Sequence, residues 1–423
     1  MISFVWSAKQ PFLAGRGGSE NYTAGHIREL RRRGIHARVL TLGFGENDGR
    51  SDFPDIEFKA LDSVTELSNL DDTLVFVTYP LKVPTKKQSY AILHCPMQRL
   101  DPPLDPEAVP GKRLITPSRF AARLWGDALQ IPHGDIAVVH PFAEACFSQV
   151  TRPTRAPGER PRILFAGRLV PDKGVYTLLA ALHMDSLKGI GFDLTATDAA
   201  SDTADGQIIK KLLEAHPRVD LIPARKTPEQ MAQLMAEHDV VVMPTTNLFW
   251  QEIFGIVSVE AQHAGCRVVA SHSGGLPETD CGGAIFVKPD DPVALADGIA
   301  QAILMGPLTE TERMYASTKF TVQASVSSLL EVLEAGQREY APLPSLGEQS
   351  ERIREQWDAA MTTAIGGATP VGNGTGPMEV RITAPIPRAA SRKVRSRGAR
   401  RPEKLTRTVP HPPAPRTGLP ASD

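Results

Sequence analysis

Two glutamates eight positions apart, Glu252 and Glu260, lie in the segment that offers the most chemistry. The segment follows an apolar run, residues 240–243, which predicts a buried strand, and it enters a predicted helix near Gly255. A carboxylate accepts two hydrogen bonds side by side, so each glutamate suits the neighbouring hydroxyls of a sugar or a ribose. Taken alone, a glutamate pair at this spacing is more often a pair of solvated charges on a helix face.

The start of that predicted helix offers hydrogen-bond donors between the two acids. The N–H groups of a first helical turn have no intrahelical partner, and the helix dipole attracts negative charge to them. We expect four such N–H groups to bind sugar and phosphate oxygens. They belong to Phe254, Gly255, Ile256 and Val257.

Two cations, Arg168 and Lys173, lie in one predicted loop between a strand at 162–166 and a helix at 175–184. Such loops meet at the carboxyl edge of a parallel sheet, where open α/β folds bind their ligands. A guanidinium and an ammonium there can stabilise the charge that a departing nucleoside diphosphate gains, without a metal ion. A lone Arg or Lys in such a loop is more often simply exposed to solvent.

A glycine pair, Gly17 and Gly18, precedes a predicted helix at 19–33 that has Ser19 as its N-cap and ends at Gly34. Glycines at this point allow the backbone to approach a bound ligand closely. A dinucleotide-binding fingerprint is excluded, because the G-x-G-x-x-G string is absent and the loop before the helix is too long for that turn.

His94 ends a predicted strand at 90–93, so we expect its side chain to point toward the crevice between two domains. A lone histidine is more often a satisfied structural residue. Cys95 cannot form a dyad with it, because successive side chains of a strand face opposite sides. The four cysteines lack metal-binding spacing and a disulfide framework, so we expect free thiols and no metal site.

Short apolar runs alternate with segments of helical period, a pattern typical of parallel sheets with helices on both faces. The predicted strands are 2–6, 37–42, 73–78, 90–93, 113–116 and 136–139 in a first unit, then 162–166, 192–197, 219–222, 240–243, 267–271 and 284–287 in a second. The predicted helices are 19–33, 175–184, 228–237, 256–264 and 292–305, followed by a helix with Val322, Val326, Leu329 and Leu333 on one face.

This pattern divides the chain into a first α/β domain at 1–150 and a second at 162–305, joined by a Pro-, Gly- and Arg-rich linker at 151–161. Further helices are expected at 306–340. From 341 to 423 the composition shifts to Pro, Gly, Ser, Thr and Arg, which predicts a disordered tail.

The charge is unevenly distributed: residues 341–423 carry 13 Lys/Arg and 7 Asp/Glu, net +6, whereas residues 1–340 carry net −7. A basic run could bind an anionic membrane surface or RNA, but we expect a solvated terminus, with no specific nucleic-acid partner and at most weak contact with a membrane surface. The sequence shows no long apolar span and no secretory leader. We therefore expect a cytoplasmic location, at most peripheral to the inner face of a membrane.

The glutamate pair is embedded in P-x5-W-x-E-x-F-G-x4-E-A-x3-G-x-x-V-V-A-S-x-x-G-G-L-P-E, and this pattern resembles the retaining glycosyltransferases of family 4. The strings G-R-L-x-P-x-K-G at 167–174 and G-G-S-E at 17–20 resemble the same family, and the likeness covers residues 1–338. It implies a GT-B fold: two Rossmann-like α/β domains facing across a cleft, with a last helix crossing back to the first.

The resemblance also implies an activity, the transfer of a hexose-type sugar from a UDP- or GDP-sugar to an acceptor hydroxyl with retention of configuration. No cofactor or metal is implied, because the nucleotide sugar is a co-substrate. Glu252 would bind the donor sugar hydroxyls and Glu260 the ribose. Arg168 and Lys173 would bind the diphosphate and His94 the transferred sugar. The first domain would hold the acceptor, and the leaving phosphate would help to deprotonate it.

The chain departs from the family pattern in loops near the nucleotide base. It reads Asp-Ala-Ala-Ser-Asp at 198–202 in place of a Gly-x-Gly turn, and Arg225-Lys226 in place of a glycine, which leaves the nucleotide open. The string AQHAGC after Glu260 is taken as a packing change. The acceptor also stays open among sugars, lipids and small natural products.

Two other functions remain as alternatives. A protein that binds sugar nucleotides without turnover would keep the fold, although the intact set of Arg168, Lys173, Glu252 and Glu260 argues against it. A sugar-nucleotide epimerase with the same fold would convert its substrate without any acceptor.

Overall fold

The computed structural model describes residues 1–15, 17–96, 100, 104–156, 158–199, 202–247 and 251–336. These residues all fall in the first of two units into which the chain divides, Met1–Arg352 and Ile353–Asp423. The predicted tail at 341–423 therefore lies outside the described residues. The predicted domain boundaries at 151–161 and 306 stay predictions.

Seven parallel strands form the first sheet, in the order β3-β2-β1-β4-β5-β6-β7. They are β1 Ile2–Trp6, β2 Ala37–Leu42, β3 Phe58–Leu61, β4 Thr73–Val77, β5 Ser89–Ile92, β6 Lys112–Thr116 and β7 Ala137–Val138. The sequence analysis missed β3, which has four residues, lies at the edge of the sheet and carries an exposed Lys59 in the middle. A short edge strand has little of the continuous apolar character that marks a buried one.

Six parallel strands form the second sheet, in the order β10-β9-β8-β11-β12-β13. They are β8 Arg162–Phe165, β9 Asp193–Asp198, β10 Val219–Pro223, β11 Val240–Met243, β12 Arg267–Ser271 and β13 Ala284–Val287. All were predicted, because their apolar runs are flanked by turn residues.

Ten α-helices accompany the sheets in the described part of the chain. They are α1 Gly18–Arg32, α2 Arg119–Leu129, α3 Ala145–Gln149, α4 Val175–Ala181, α5 Ala204–Ala215, α6 Pro228–Ala236, α7 Ile256–His263, α8 Pro292–Met305, α9 Glu310–Ser317 and α10 Val322–Glu334. The helices and strands pack in apolar clusters on both faces of each sheet, as expected for doubly wound domains.

The N-cap of α1 is Gly17 rather than the predicted Ser19. The helix begins one residue earlier than predicted, at Gly18, so Ser19 already lies in the first turn and its side chain is past the capping position. The predicted stop is confirmed, because Gly34 follows the helix with a φ of +77°, a conformation that favours glycine.

The last helix, α10, packs against the first sheet. Val326, Leu329 and Val332 are buried in the core around β1. Two bonds fix its end: Tyr90 Oη donates to the carbonyl of Leu333 at 2.8 Å, and Arg113 Nη1 donates to the carbonyl of Val332 at 2.9 Å. The predicted crossing of the last helix back to the first domain is confirmed.

No single helix among the described residues has the length and apolar character of a membrane span. Helices α8 and α9 pass that test only as a pair, and the chain bends by 117° at the break between them.

Candidate active site

The order of strands reverses in the second sheet between β8 and β11. These two strands pair in parallel, with Val240 opposite Ile163 and Val241 opposite Leu164. One flanks β9 and the other flanks β12, so the chain leaves their carboxyl ends in opposite directions. Such a switch point is where open α/β sheets form a ligand crevice. The loop after β8 carries Arg168 and Lys173, and the loop after β11 carries Glu252.

The two loops contact one another directly. Thr246 N–H donates to the carbonyl of Asp172 at 3.0 Å. Gly174 has a φ of +73°, and a Cβ added to it would collide with the carbonyl oxygen of Pro244. Glycine is therefore required at 174, because only an absent side chain lets the start of α4 approach the end of β11 this closely.

Lys173 and Glu252 meet across this contact. Lys173 Nζ lies 2.5 Å from Glu252 Oε2, and the two side chains are 20% and 18% exposed. Each charge is thus paired but still reachable from solvent. The pair presents a cation beside a carboxylate, which are the groups needed to bind a phosphate beside a hydroxylated ring.

The backbone at Glu252 is held by the glycine pair of the G-G-L-P-E string. Gly275 N–H donates to the carbonyl of Glu252 at 2.7 Å. A Cβ at Gly274 would collide with the carbonyl of Glu252, and one at Gly275 would collide with that of Ile253. The sequence analysis quoted these glycines as part of a pattern but assigned them no role, because the contact joins segments that are distant along the chain.

The first turn of α7 begins at Gly255, which has a φ of +93°. A Cβ there would lie 2.5 Å from Leu276 Cδ2. Within the described residues, the four N–H groups predicted to bind a donor, those of Phe254, Gly255, Ile256 and Val257, make no hydrogen bond. Their role in donor binding stays a prediction.

Glu260 lies one turn further along α7. Burial raises the pKa of its carboxyl to about 8, and the nearby charge of Glu144 adds to the effect. The carboxyl accordingly keeps its proton over much of the neutral range, so it can donate as well as accept hydrogen bonds. Glu144, which precedes α3, was missed as a neighbour because the two residues belong to different predicted domains.

Arg168 is exposed at the end of β8. Its side chain makes no hydrogen bond or ion pair with the described residues, unlike that of Lys173 in the same loop. The structure therefore joins Lys173 with Glu252 and leaves the Arg168 guanidinium open for an anion.

His94 packs edge-on against Tyr22 of α1, with 4.8 Å between the ring centroids. Its Nε2 is buried and has no hydrogen-bond partner among the described residues. Burial lowers the pKa of the imidazole to about 3, with a smaller contribution from His26, so the ring is neutral. Cys95 packs in the cluster on the other face of the sheet, as the alternation of strand side chains predicted.

Gly17 and Gly18, the glycines predicted to adjoin a ligand, are exposed at the start of α1. Tyr22 of the same helix packs against His94. A Cβ at Gly18 would meet nothing within 4 Å, so free space adjoins this helix end.

The two loops that depart from the family pattern each lie against another part of the chain. Asp198 Oδ2 pairs with Lys210 Nζ at 2.7 Å. The carbonyl of Lys226 lies close to Gly15, where an added Cβ would be 3.0 Å from it. Residues 200 and 201 lie outside the described residues.

The region that carries the candidate site matches a known family model. Residues 160–305 match the model of the family described as glycosyl transferases group 1. The matched stretch contains Arg168, Lys173, Glu252 and Glu260. It ends at the last residue of α8.

Curated relatives include the D-inositol 3-phosphate glycosyltransferase of Corynebacterium jeikeium, 28% identical over 232 residues, covering 52% of this chain and 53% of that protein. The protein of the same name from Mycolicibacterium smegmatis is 30% identical over 203 residues, covering 46% and 42%. The chain thus spans about half the length of the curated relatives it matches.

Among solved structures, a glycosyltransferase from Rickettsia africae matches with a TM-score of 0.61 at 16% identity, covering 79% of this chain and 98% of that one. Anabaena HepE in complex with UDP matches with a TM-score of 0.57 at 18% identity, covering 79% and 99%. Likeness at this identity shows the fold alone. The predicted GT-B fold is confirmed.

Proposed function

We propose that the protein is a glycosyltransferase that moves a hexose-type sugar from a nucleoside diphosphate sugar to an acceptor hydroxyl, with retention of configuration and without a metal ion. The observation that carries the proposal is the Lys173–Glu252 pair at the switch point of the second sheet. The match of this region to glycosyl transferases group 1 supports it.

Donor binding would exchange the ion pair for contacts with the ligand. The Lys173 ammonium would move from the Glu252 carboxylate to the diphosphate, together with the unpaired Arg168 guanidinium. Glu252 would then accept hydrogen bonds from hydroxyls of the donor sugar. Both partners remain charged and partnered throughout, so the exchange leaves no buried charge unpaired.

Bond breaking places negative charge on the leaving phosphate, and Lys173, Arg168 and the first-turn N–H groups of α7 would stabilise that charge. These fixed cations would stabilise the phosphate charge in place of a divalent ion. Glu260 would bind the ribose, where its protonated carboxyl can donate to one hydroxyl and accept from the other. The neutral His94 ring, whose Nε2 is unsatisfied, would hydrogen bond to the transferred sugar.

Retention follows from front-face substitution, in which the acceptor hydroxyl attacks from the side that the diphosphate leaves. A leaving phosphate oxygen takes the acceptor proton. UDP-sugars are the first donors to test, because the matched structures of HepE hold UDP, UDP with glucose, and UDP-glucose.

The test is a panel of UDP- and GDP-sugars offered with mixed sugar, lipid and polyol acceptors in the presence of a chelator. The proposal predicts that nucleoside diphosphate is released with at least one donor and that the product retains the anomeric configuration in an NMR spectrum. Release that needs an added metal, or an inverted product, contradicts the corresponding part of the proposal. Conversion of the donor without any acceptor would instead favour an epimerase.

A further inference from the structure

The first turn of α2, in the first domain, docks on the Glu252 loop of the second. Ser118, the N-cap of α2, is fully buried. Its Oγ accepts the N–H of Ala121 at 2.9 Å and donates to the carbonyl of Ile253 at 2.5 Å. One hydroxyl therefore caps a helix in one domain and binds the residue next to Glu252 in the other.

Glu278 completes the cap from the opposite side. Its Oε2 accepts the N–H of Arg119 at 2.9 Å, and its Oε1 accepts the N–H of Phe120 at 2.7 Å. These N–H groups have no partner within α2, and the helix dipole favours a carboxylate at this end. The N–H groups of Arg119 and Phe120 thus have these carboxylate partners only while the two domains are together.

A third contact joins the same segments. The ring of His140 stacks on Phe254 with 5.6 Å between centroids, and its Nδ1 lies 3.1 Å from the carbonyl of Pro117, just before the N-cap. Residues of the first domain therefore hold Ile253 and Phe254, which adjoin Glu252. Glu278 lies in the same turn as Gly275, whose N–H donates to the carbonyl of Glu252.

We propose that Ser118 and Glu278 are positioning residues that couple closure of the two domains to placement of the Glu252 carboxylate. Opening the cleft breaks the bonds to Ile253, Arg119 and Phe120 together, which frees the Glu252 loop to move. The catalytic half of this inference rests on the proposed function, whereas the closure half does not.

Closure is tested without any substrate. Spin labels on Cys introduced at the exposed Lys59 and Lys288 report the distance between the two sheets in the full chain, with Cys95 and Cys146 replaced by Ser in every sample. Ser118→Ala and Glu278→Ala are expected to lengthen or broaden the distance distribution. Glu107→Ala, which removes an exposed carboxylate that pairs with the exposed Lys82, should leave it unchanged. An unchanged distribution in both cleft variants overturns the inference.

Positioning is tested by kinetics normalised to folded protein. We expect kcat to fall by about 10²-fold in Glu278→Ala, with the donor KM changed less than about threefold, because a misplaced group costs rate more than ground-state binding. Glu278→Gln, which keeps one acceptor oxygen, should have a higher kcat than Glu278→Ala. Ser118→Thr, which keeps the hydroxyl, should likewise have a higher kcat than Ser118→Ala. A variant whose domains separate while kcat stays at the wild-type value overturns the coupling.

The two hypotheses fail separately. If the wild-type protein turns over no nucleotide sugar while Glu278→Ala still separates the domains, the proposed function fails and closure by Glu278 stands. If turnover is present and the variants change neither distance nor kcat, the inference fails and the function stands.

Discussion

Lys173 Nζ and Glu252 Oε2 lie 2.5 Å apart although 79 positions separate the residues in the chain. Their meeting depends on the pairing of β8 with β11, which puts the two carboxyl-end loops side by side. The cation and the acid of the candidate site are thus held together in one ion pair. We expect any ligand that binds there to compete with that pair for both partners.

Removing either partner of this pair should remove activity. Lys173→Ala and Glu252→Gln are each expected to lower kcat/KM for the donor by about 10²-fold or more. The first variant loses a cation that stabilises charge on the leaving phosphate, and the second loses hydrogen bonds to the donor sugar. The measurement is release of nucleoside diphosphate. Lys188→Ala serves as the matched control, because Lys188 is 71% exposed and pairs with the exposed Asp185. Equal activity in Lys173→Ala and Lys188→Ala would refute the role of Lys173.

Glu260 predicts a pH dependence of stability. Its pKa is raised from 4.5 to about 8 in the folded protein, mainly by burial and also by Glu144. Between these values the unfolded chain has lost a proton that the folded protein keeps, so the free energy of unfolding falls as the pH rises.

Glu260→Gln has no such proton to lose. Its Tm relative to wild type should therefore rise by a few degrees between pH 5 and pH 8 and then level off. Melting curves of both proteins from pH 5 to pH 9 check this. Glu66→Gln, at a carboxylate that caps an exposed turn, is the control for the loss of one charge. A difference that does not vary with pH would show that Glu260 is not held protonated.

Gly274 should tolerate no side chain. An added Cβ collides with the carbonyl of Glu252, so Gly274→Ala is expected to displace the Glu252 loop and to lower kcat/KM by about 10-fold or more. Gly189→Ala is the control, because Gly189 also has a positive φ, +78° against +56°, but nothing lies within 4 Å of its added Cβ. If both variants lose the same activity, backbone strain rather than the collision is responsible.

The packing of α10 on the first domain should carry much of the stability. Leu329 is fully buried, so Leu329→Ala is expected to cost about 2–5 kcal/mol in the free energy of unfolding. Leu304, on α8, is 84% exposed, so Leu304→Ala should change stability by less than about 0.5 kcal/mol. Denaturant titration of both variants measures the difference. Equal small losses would mean that α10 does not anchor on the first domain.

Most strands could be predicted because their apolar runs end abruptly at turn residues. The predicted bounds of β11, β12 and β13 agree with the structure at every residue. Helix α5 was missed because Ile208 and Leu212 are exposed while Ile209 and Leu213 are buried, so its apolar residues do not mark one clear face.

The candidate site could be predicted only in part. Residue types identified Lys173 and Glu252, but no local pattern gives the strand order that joins them. Nor does a local pattern show that Glu278 caps a helix 158 positions away or that Glu144 lies near Glu260. Such contacts depend on how the two domains meet, which periodicity within one segment does not encode.

The release of nucleoside diphosphate from UDP- and GDP-sugars, compared between the wild-type protein and Glu252→Gln, tests the central proposal most directly. We predict acceptor-dependent release by the wild type and a loss of about 10²-fold or more in the variant, with both proteins melting at similar temperatures. Equal release by the two proteins would contradict the account, because the Lys173–Glu252 pair would then not be the donor site.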